Sequence, residues 1–145
     1  MSDDEIRLHV YETFVENGAP PTVAETAAAL ELTEEEAEAA YRRLEEARVI
    51  VLAPGTTNIW MANPLSAVPT AFPVETPRGS YFGNCVWDGL GVVAILGGEG
   101  RVRTWCQDCG DPIELVVHDG ELKDPDGVAH YAVPARRWWA NIGYT

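Results

Sequence analysis

Cys85 and Asp88 stand three residues apart in Gly83-Asn84-Cys85-Val86-Trp87-Asp88-Gly89, within a chain of 145 residues that holds only 3 cysteines. A soft sulfur nucleophile and a proton carrier at that spacing can address the same bound atom. The remaining cysteines form Cys106-Gln107-Asp108-Cys109, so every thiol lies in the second half of the chain. Such clustering points to soft-metal or redox chemistry.

Each residue needs particular surroundings to act. A reactive Cys85 needs a helix N-terminus, a cation or a metal to bring its thiol down from about 8.5. Asp88 becomes a general acid only if apolar or anionic surroundings lift it well above about 3.9, and Trp87 with the apolar residues after it offers such a pocket. The competing account is a buried small hydrophobe beside a surface acid, since free cysteine is among the most buried residue types. A helix from Asn84 to Leu90 puts the two side chains on one face, whereas a strand sends them to opposite faces.

Cys106-x-x-Cys109-Gly110 resembles one knuckle of a zinc site, but a closed structural site takes four ligands. It would have to recruit Cys85 with His118, His130 or an acid, which leaves bound zinc or copper as the lesser alternative. A thioredoxin-like role needs the motif between a strand and a helix, and Gly110-Asp111-Pro112 breaks any helix there. A metal-handling or structural turn is the better account. His9, His118 and His130 show no spacing that demands a ligand role.

The elements that must hold these residues can be read along the chain. Asp4 to Glu16 reads as a helix with Ile6, Val10 and Phe14 on one face, stopped by Asn17-Gly18 and Pro20-Pro21. Thr22 caps a short helix through Leu30. Thr33 with Glu36 makes a capping box for a third helix, to about Arg48. Val49 to Leu52 and Asn58 to Met61 follow as a hairpin around Pro54-Gly55. Three helices and a hairpin make a winged-helix-like module over residues 1–62. Residues 63–145 read as a small mixed α/β or sheet-rich core, with the apolar runs Val92–Leu96 and Ile113–Val117 among its elements. The fold class is therefore α+β. Arg136-Arg137-Trp138-Trp139 points to stacking or packing.

Charge narrows the partners. The formal net charge is −13. Residues 1–62 hold 13 acids against 4 bases, and residues 63–145 hold 10 against 6. Glu34, Glu35, Glu36, Glu38, Glu45 and Glu46 would meet phosphates along the third helix, so no nucleic-acid partner is expected. The acidic opening Met1-Ser2-Asp3-Asp4-Glu5 is unlike an export signal, and no apolar run approaches the ~20 residues of a membrane span. The expectation is a soluble cytoplasmic protein with reduced thiols and no membrane partner. Oligomeric state is not legible.

Four ordered segments carry a resemblance: Asn63-Pro64-Leu65-Ser66-Ala67-Val68-Pro69-Thr70; Gly83-Asn84-Cys85-x-Trp87-Asp88-Gly89-Leu90-Gly91; Cys106-x-x-Cys109-Gly110-x-Pro112-Ile113; and Val133-Pro134-Ala135-Arg136-Arg137-Trp138-Trp139. In that order they resemble the alkylmercury lyase (organomercurial lyase) family. The resemblance implies protonolysis of a carbon–mercury bond, in which thiolates capture mercury and an aspartic acid protonates the departing carbon. By motif match Cys85 is the first thiolate and Asp88 the proton shuttle. Cys106 matches a family cysteine regarded as structural. The family uses a second essential cysteine nearer its C-terminus, and this sequence stops at Tyr144-Thr145, about where that segment is expected to begin.

Three accounts of that departure stand open: Cys106 or Cys109 supplies the second thiolate, the chain is a divergent member without lyase activity, or the sequence is shortened. The functional expectation is an organomercurial lyase-like protein that needs no cofactor. Mercury is its substrate and product ion, and low-molecular-weight thiols assist. Cys85, Cys106 and Cys109 are the candidate metal ligands. The alternatives are a non-catalytic thiolate site for mercury, copper or zinc, and a lyase-like enzyme acting on another substrate.

Overall fold

Residues 1–144 are described in the computed structural model, and they form an α+β fold. Three helices come first: α1 (Asp3–Asn17), α2 (Val23–Leu30) and α3 (Glu34–Glu46). Each starts at a hydroxyl residue followed three positions on by glutamate, namely Ser2 with Glu5, Thr22 with Glu25 and Thr33 with Glu36. In each pair the hydroxyl accepts the glutamate's backbone N–H and the carboxylate accepts the cap's, a complete capping box. Gly18 ends α1 at φ 74, a left-handed position.

The chain then forms a three-stranded antiparallel sheet of β1 (Ile50–Leu52), β2 (Ile59–Ala62) and β3 (Leu65–Ser66). Strand β3, unforeseen in the sequence reading, lies beyond the linking cis peptide Asn63–Pro64 and pairs with β2. It also bridges to Gly83, which ties the first sheet to the start of the segment carrying Cys85.

The second sheet is antiparallel throughout, in the order β5-β4-β6-β7-β8, with β4 (Pro73–Thr76), β5 (Gly79–Phe82), β6 (Gly100–Trp105), β7 (Pro112–His118) and β8 (Glu121–Leu122). Helix α4 (Val86–Ile95) packs on β4 and β6. The run Val92–Leu96, with its branched residues, is thus the end of a helix and its cap. Val92 and Val93 are fully buried against the sheet, while Ala94 and Ile95 face out. The opposite face of the sheet is charged: Arg101 and Arg103 both pair with Glu75 at 2.8 Å and also reach Glu114.

One continuous apolar cluster joins the two halves. Ile6, Val10, Phe14, Tyr41, Leu44, Ile50 and Leu65 belong to it together with Val74, Val92, Val93 and Val102. Beyond β8 the chain forms a short 3-10 helix, Ala135–Ala140. Trp139 there lies under the Arg48 guanidinium, 5.4 Å from its ring centre, so a tryptophan of the Arg-Trp cluster stacks on an arginine of the first half and not on its own neighbours. No helix among the described residues is long and apolar enough to cross a membrane.

Candidate active site

The spacing of Cys85 and Asp88 is that of a helix cap. Cys85 is the N-cap of α4, with extended backbone, and Asp88 is the third residue of the first turn. The backbone N–H of Asp88 donates to the Cys85 sulfur at 3.5 Å, as glutamate N–H groups do to hydroxyls at the other three helices. A sulfur therefore occupies the place of a capping oxygen, pointed at by the free N–H groups of a helix N-terminus. Cys85 caps the helix rather than lying within it, which is a more specific arrangement than a shared helical face.

The Asp88 carboxylate does not return to the cap, as the glutamates do. Its Oδ2 accepts from Asn84 Nδ2 at 3.0 Å. The same amide lies 3.2 Å from the Pro64 carbonyl and 3.3 Å from Asn63 Oδ1. Among the described residues no hydrogen bond reaches Asp88 Oδ1, so that oxygen is available to a ligand. Burial pushes the Asp88 carboxyl above the usual carboxylate value, and the Asn84 amide opposes this by favouring the charged form.

Trp87 does not provide that burial, contrary to the sequence expectation, because it is 69% exposed. The cover comes instead from residues distant in sequence. The Tyr131 hydroxyl is buried and lacks a full hydrogen-bond partner. It faces Cys85: burial first, and then the neighbouring Cys85 thiolate, push its pKa up to about 12. Asn84 Oδ1 is likewise buried and unpartnered. Two polar atoms are thus left unsatisfied beside the sulfur and the carboxyl, a pattern that calls for an explanation in a ligand or water. The stretch at Tyr131 is not the strand its Tyr-Ala-Val composition favours; it is an irregular segment held by Tyr131 against Trp138, 5.1 Å between ring centres.

Two influences act on the Cys85 thiol. Burial raises its pKa and prevails, while the N–H groups of Asp88 and Trp87 and the Tyr131 hydroxyl pull it down. The resting group is accordingly a thiol with its thiolate form partly provided for.

Glycine makes room for this turn. A Cβ on Gly83 would run into the backbone N of Gly89 and lie 2.6 Å from Gly89 Cα and 2.9 Å from the Asp88 carbonyl carbon. A Cβ on Gly89 would meet Val102 at 3.0 Å, and one on Gly91 would meet Pro64 at 3.2 Å. The glycines of the motif thus let α4 press against β6, Pro64 and the end of β5.

Cys106 and Cys109 lie elsewhere, on the turn joining β6 to β7. The three sulfurs do not converge: among the described residues, the group of three such side chains whose ligand atoms come together is Glu99, His118 and Asp119, all at the surface region around the β7–β8 turn. Among the described residues no four-ligand arrangement forms around Cys106 and Cys109, so a closed structural zinc or copper site gains no support. His118 is held by Glu99 at 2.8 Å, and that carboxylate raises its pKa. Sequence reasoning missed Tyr131 as a site residue. Its aromatic hydroxyl lies 46 positions from Cys85, with no spacing signal to connect them.

No curated protein matches the chain. Among solved structures it resembles the mercury-bound form of MerB2, with a TM-score of 0.64 and 20% identity, over 81% of this chain and 58% of that one. The likeness establishes the fold, and the chain spans less than two thirds of that protein's length. The pattern of the MerB alkylmercury lyase family matches residues 65–145, which include the capped turn of Cys85 and Asp88, Tyr131 and the C-x-x-C turn. With more than half of its length matched, the chain belongs to the alkylmercury lyase family.

Proposed function

We propose that this protein cleaves carbon–mercury bonds by protonolysis, with Cys85 as the mercury-binding thiolate and Asp88 as the proton shuttle. The observation that carries the reading is the capped turn itself. A sulfur and a half-buried carboxyl with a raised pKa and an unoccupied oxygen are fixed in one helical turn.

The protons balance within the site. The Cys85 sulfur displaces the anionic ligand of the organomercurial, forming the sulfur–mercury bond as the thiol proton passes to Asp88. Mercury is soft and prefers sulfur to oxygen or nitrogen. A low-molecular-weight thiolate, its proton already given to solvent, adds a second sulfur to the mercury, which makes the attached carbon more basic. Asp88 then returns the proton to carbon, the carbon–mercury bond breaks, hydrocarbon leaves, and mercury remains on Cys85. Asn84 supports the carboxylate while it waits for the proton, and burial makes the protonated form a competent acid. We assign residues 1–62 a supporting role as a winged-helix-like module.

A second reading is favoured by the failure of the three thiols, among the described residues, to come together as one group: capture of mercury without turnover. One assay separates the two. The protein is mixed with phenylmercuric acetate and excess thiol, and benzene is measured by gas chromatography. Benzene above the thiol-only control is expected; its absence with mercury retained on the protein supports capture alone. Cys85→Ser should abolish release, and Asp88→Asn should bind mercury without releasing benzene. Full activity in either variant refutes that residue's role.

A further inference from the structure

The C-x-x-C turn takes no part in the reaction above, yet it is built more tightly than a loop needs. Trp105 and Pro112 are the last paired residues of β6 and β7. Beyond them the Cys106 N–H donates to the Asp111 carbonyl at 2.8 Å and the Gly110 N–H to the Cys106 carbonyl at 2.9 Å. Gly110 closes the bend at φ 76, where a side chain would be strained. A closure one helical turn long makes positions three apart neighbours, which sets Cys106 beside Cys109. Cys106 is half-buried and Cys109 exposed, so the pair is reachable from solution. The turn carries two acids, Asp108 and Asp111, and no base, which favours a cation.

We infer that Cys106 and Cys109 form a binding site for one thiophilic divalent cation, distinct from Cys85. A metal–sulfur bond is about 2.3 Å, so two sulfurs on one ion at the tetrahedral angle stand about 3.8 Å apart. Side chains made neighbours by the turn need little rearrangement to reach that spacing. Two thiols give up their protons to solvent as the ion binds, leaving a neutral dithiolate complex. Its open positions are filled by water or small thiols, because no third protein ligand among the described residues converges there. The site does not depend on carbon–mercury cleavage.

The test uses cadmium chloride and the full-length Cys85→Ser variant, reduced beforehand and freed of reductant. About one cadmium ion per chain should bind, with a sulfur-to-metal charge-transfer band in the ultraviolet and release of about two protons. Adding Cys106→Ser or Cys109→Ser to that variant should remove the band, with circular dichroism showing the fold retained. In the unsubstituted chain, cadmium should protect Cys106 and Cys109 together from alkylation, read by peptide mass spectrometry, a result independent of how the variants fold. The inference is overturned if Cys85→Ser binds no cadmium, if binding persists without both turn cysteines, or if one ion bridges two chains. None of these outcomes bears on lyase activity, since no organomercurial is present.

Discussion

Gly83→Ala tests whether the turn carrying Cys85 and Asp88 is held by backbone-to-backbone packing. Gly83 adopts an ordinary backbone conformation, so alanine incurs no penalty in φ; what it lacks is space. Its Cβ would stand 2.6 Å from Gly89 Cα and 2.9 Å from the Asp88 carbonyl carbon, where carbon atoms pack at about 3.5–4.0 Å. These neighbours are backbone and cannot rotate aside. Gly83 is itself fixed, its N–H bonded to the Phe72 carbonyl at 3.0 Å. The end of β5 and the first turn of α4 must therefore part by on the order of 1 Å. Overpacking of this kind costs about 3 kcal/mol, the upper part of its usual range, because no flexible side chain absorbs it. At roughly 2–4 °C per kcal/mol for a chain of this size, the melting temperature falls by about 6–12 °C. Gly55→Ala is the control: at φ 72 with nothing within 4 Å of its Cβ, it bears only the left-handed backbone cost of about 1–2 kcal/mol. Thermal melts followed by circular dichroism compare the two. In the benzene assay, below the melting temperature, Gly83→Ala should also lose about a hundredfold in rate, the usual consequence of a 1 Å misplacement. A Gly83→Ala variant that melts at or above Gly55→Ala refutes the packing argument.

Three other perturbations probe separate parts of the chain. Tyr41→Phe deprives the buried Thr26 hydroxyl of its 2.7 Å partner and the Pro21 carbonyl of its 3.0 Å donor; it should cost about 1–3 kcal/mol in urea unfolding, and no loss would mean that the pair contributes nothing. Asp88→Asn should stabilise the protein near neutral pH and not in acid. Because the folded pKa of Asp88 is raised, the unfolded chain ionises first as pH climbs past about 3.9, and stability falls until the folded carboxyl has ionised too. A stability difference between variant and parent that does not grow from pH 3 to pH 7 would contradict the burial of Asp88. Tyr131→Phe removes a buried hydroxyl with no full partner and should leave the melting temperature level or higher; a marked drop would show that the hydroxyl is satisfied in solution.

What was legible in the sequence is what four consecutive residues decide among themselves. Thr22 and Thr33, each followed by glutamate at the third position, start α2 and α3 where expected, because a capping box involves no distant partner. The same local rule governs Cys85 and Asp88, although sulfur in place of oxygen hides the cap from a pattern written for hydroxyls. The run Val92–Leu96 left helix and strand open, because its branched residues suit a strand while packing on β4 and β6 makes it the end of α4. The partners of the site were illegible for a related reason. Tyr131 meets Cys85, and Asn63 meets Asn84, through the tertiary fold and not through any local spacing.

Those distant partners give the N-terminal helices a place in the chemistry. The Tyr11 hydroxyl, on α1, donates to the Asn63 carbonyl at 2.7 Å, beside the cis peptide that leads into β3. Asn63 Oδ1 and the Pro64 carbonyl then receive the Asn84 amide, and that amide holds Asp88. A line of hydrogen bonds thus runs from the first helix to the proposed proton shuttle through two asparagines, and Tyr11 lies close enough for the Asp88 charge to raise its own pKa, after the larger effect of burial. The family pattern begins at residue 65, downstream of Tyr11 and Asn63. The carboxyl it contains is therefore oriented by residues outside it, and the two halves of the chain act as one support for the turn that carries Cys85 and Asp88.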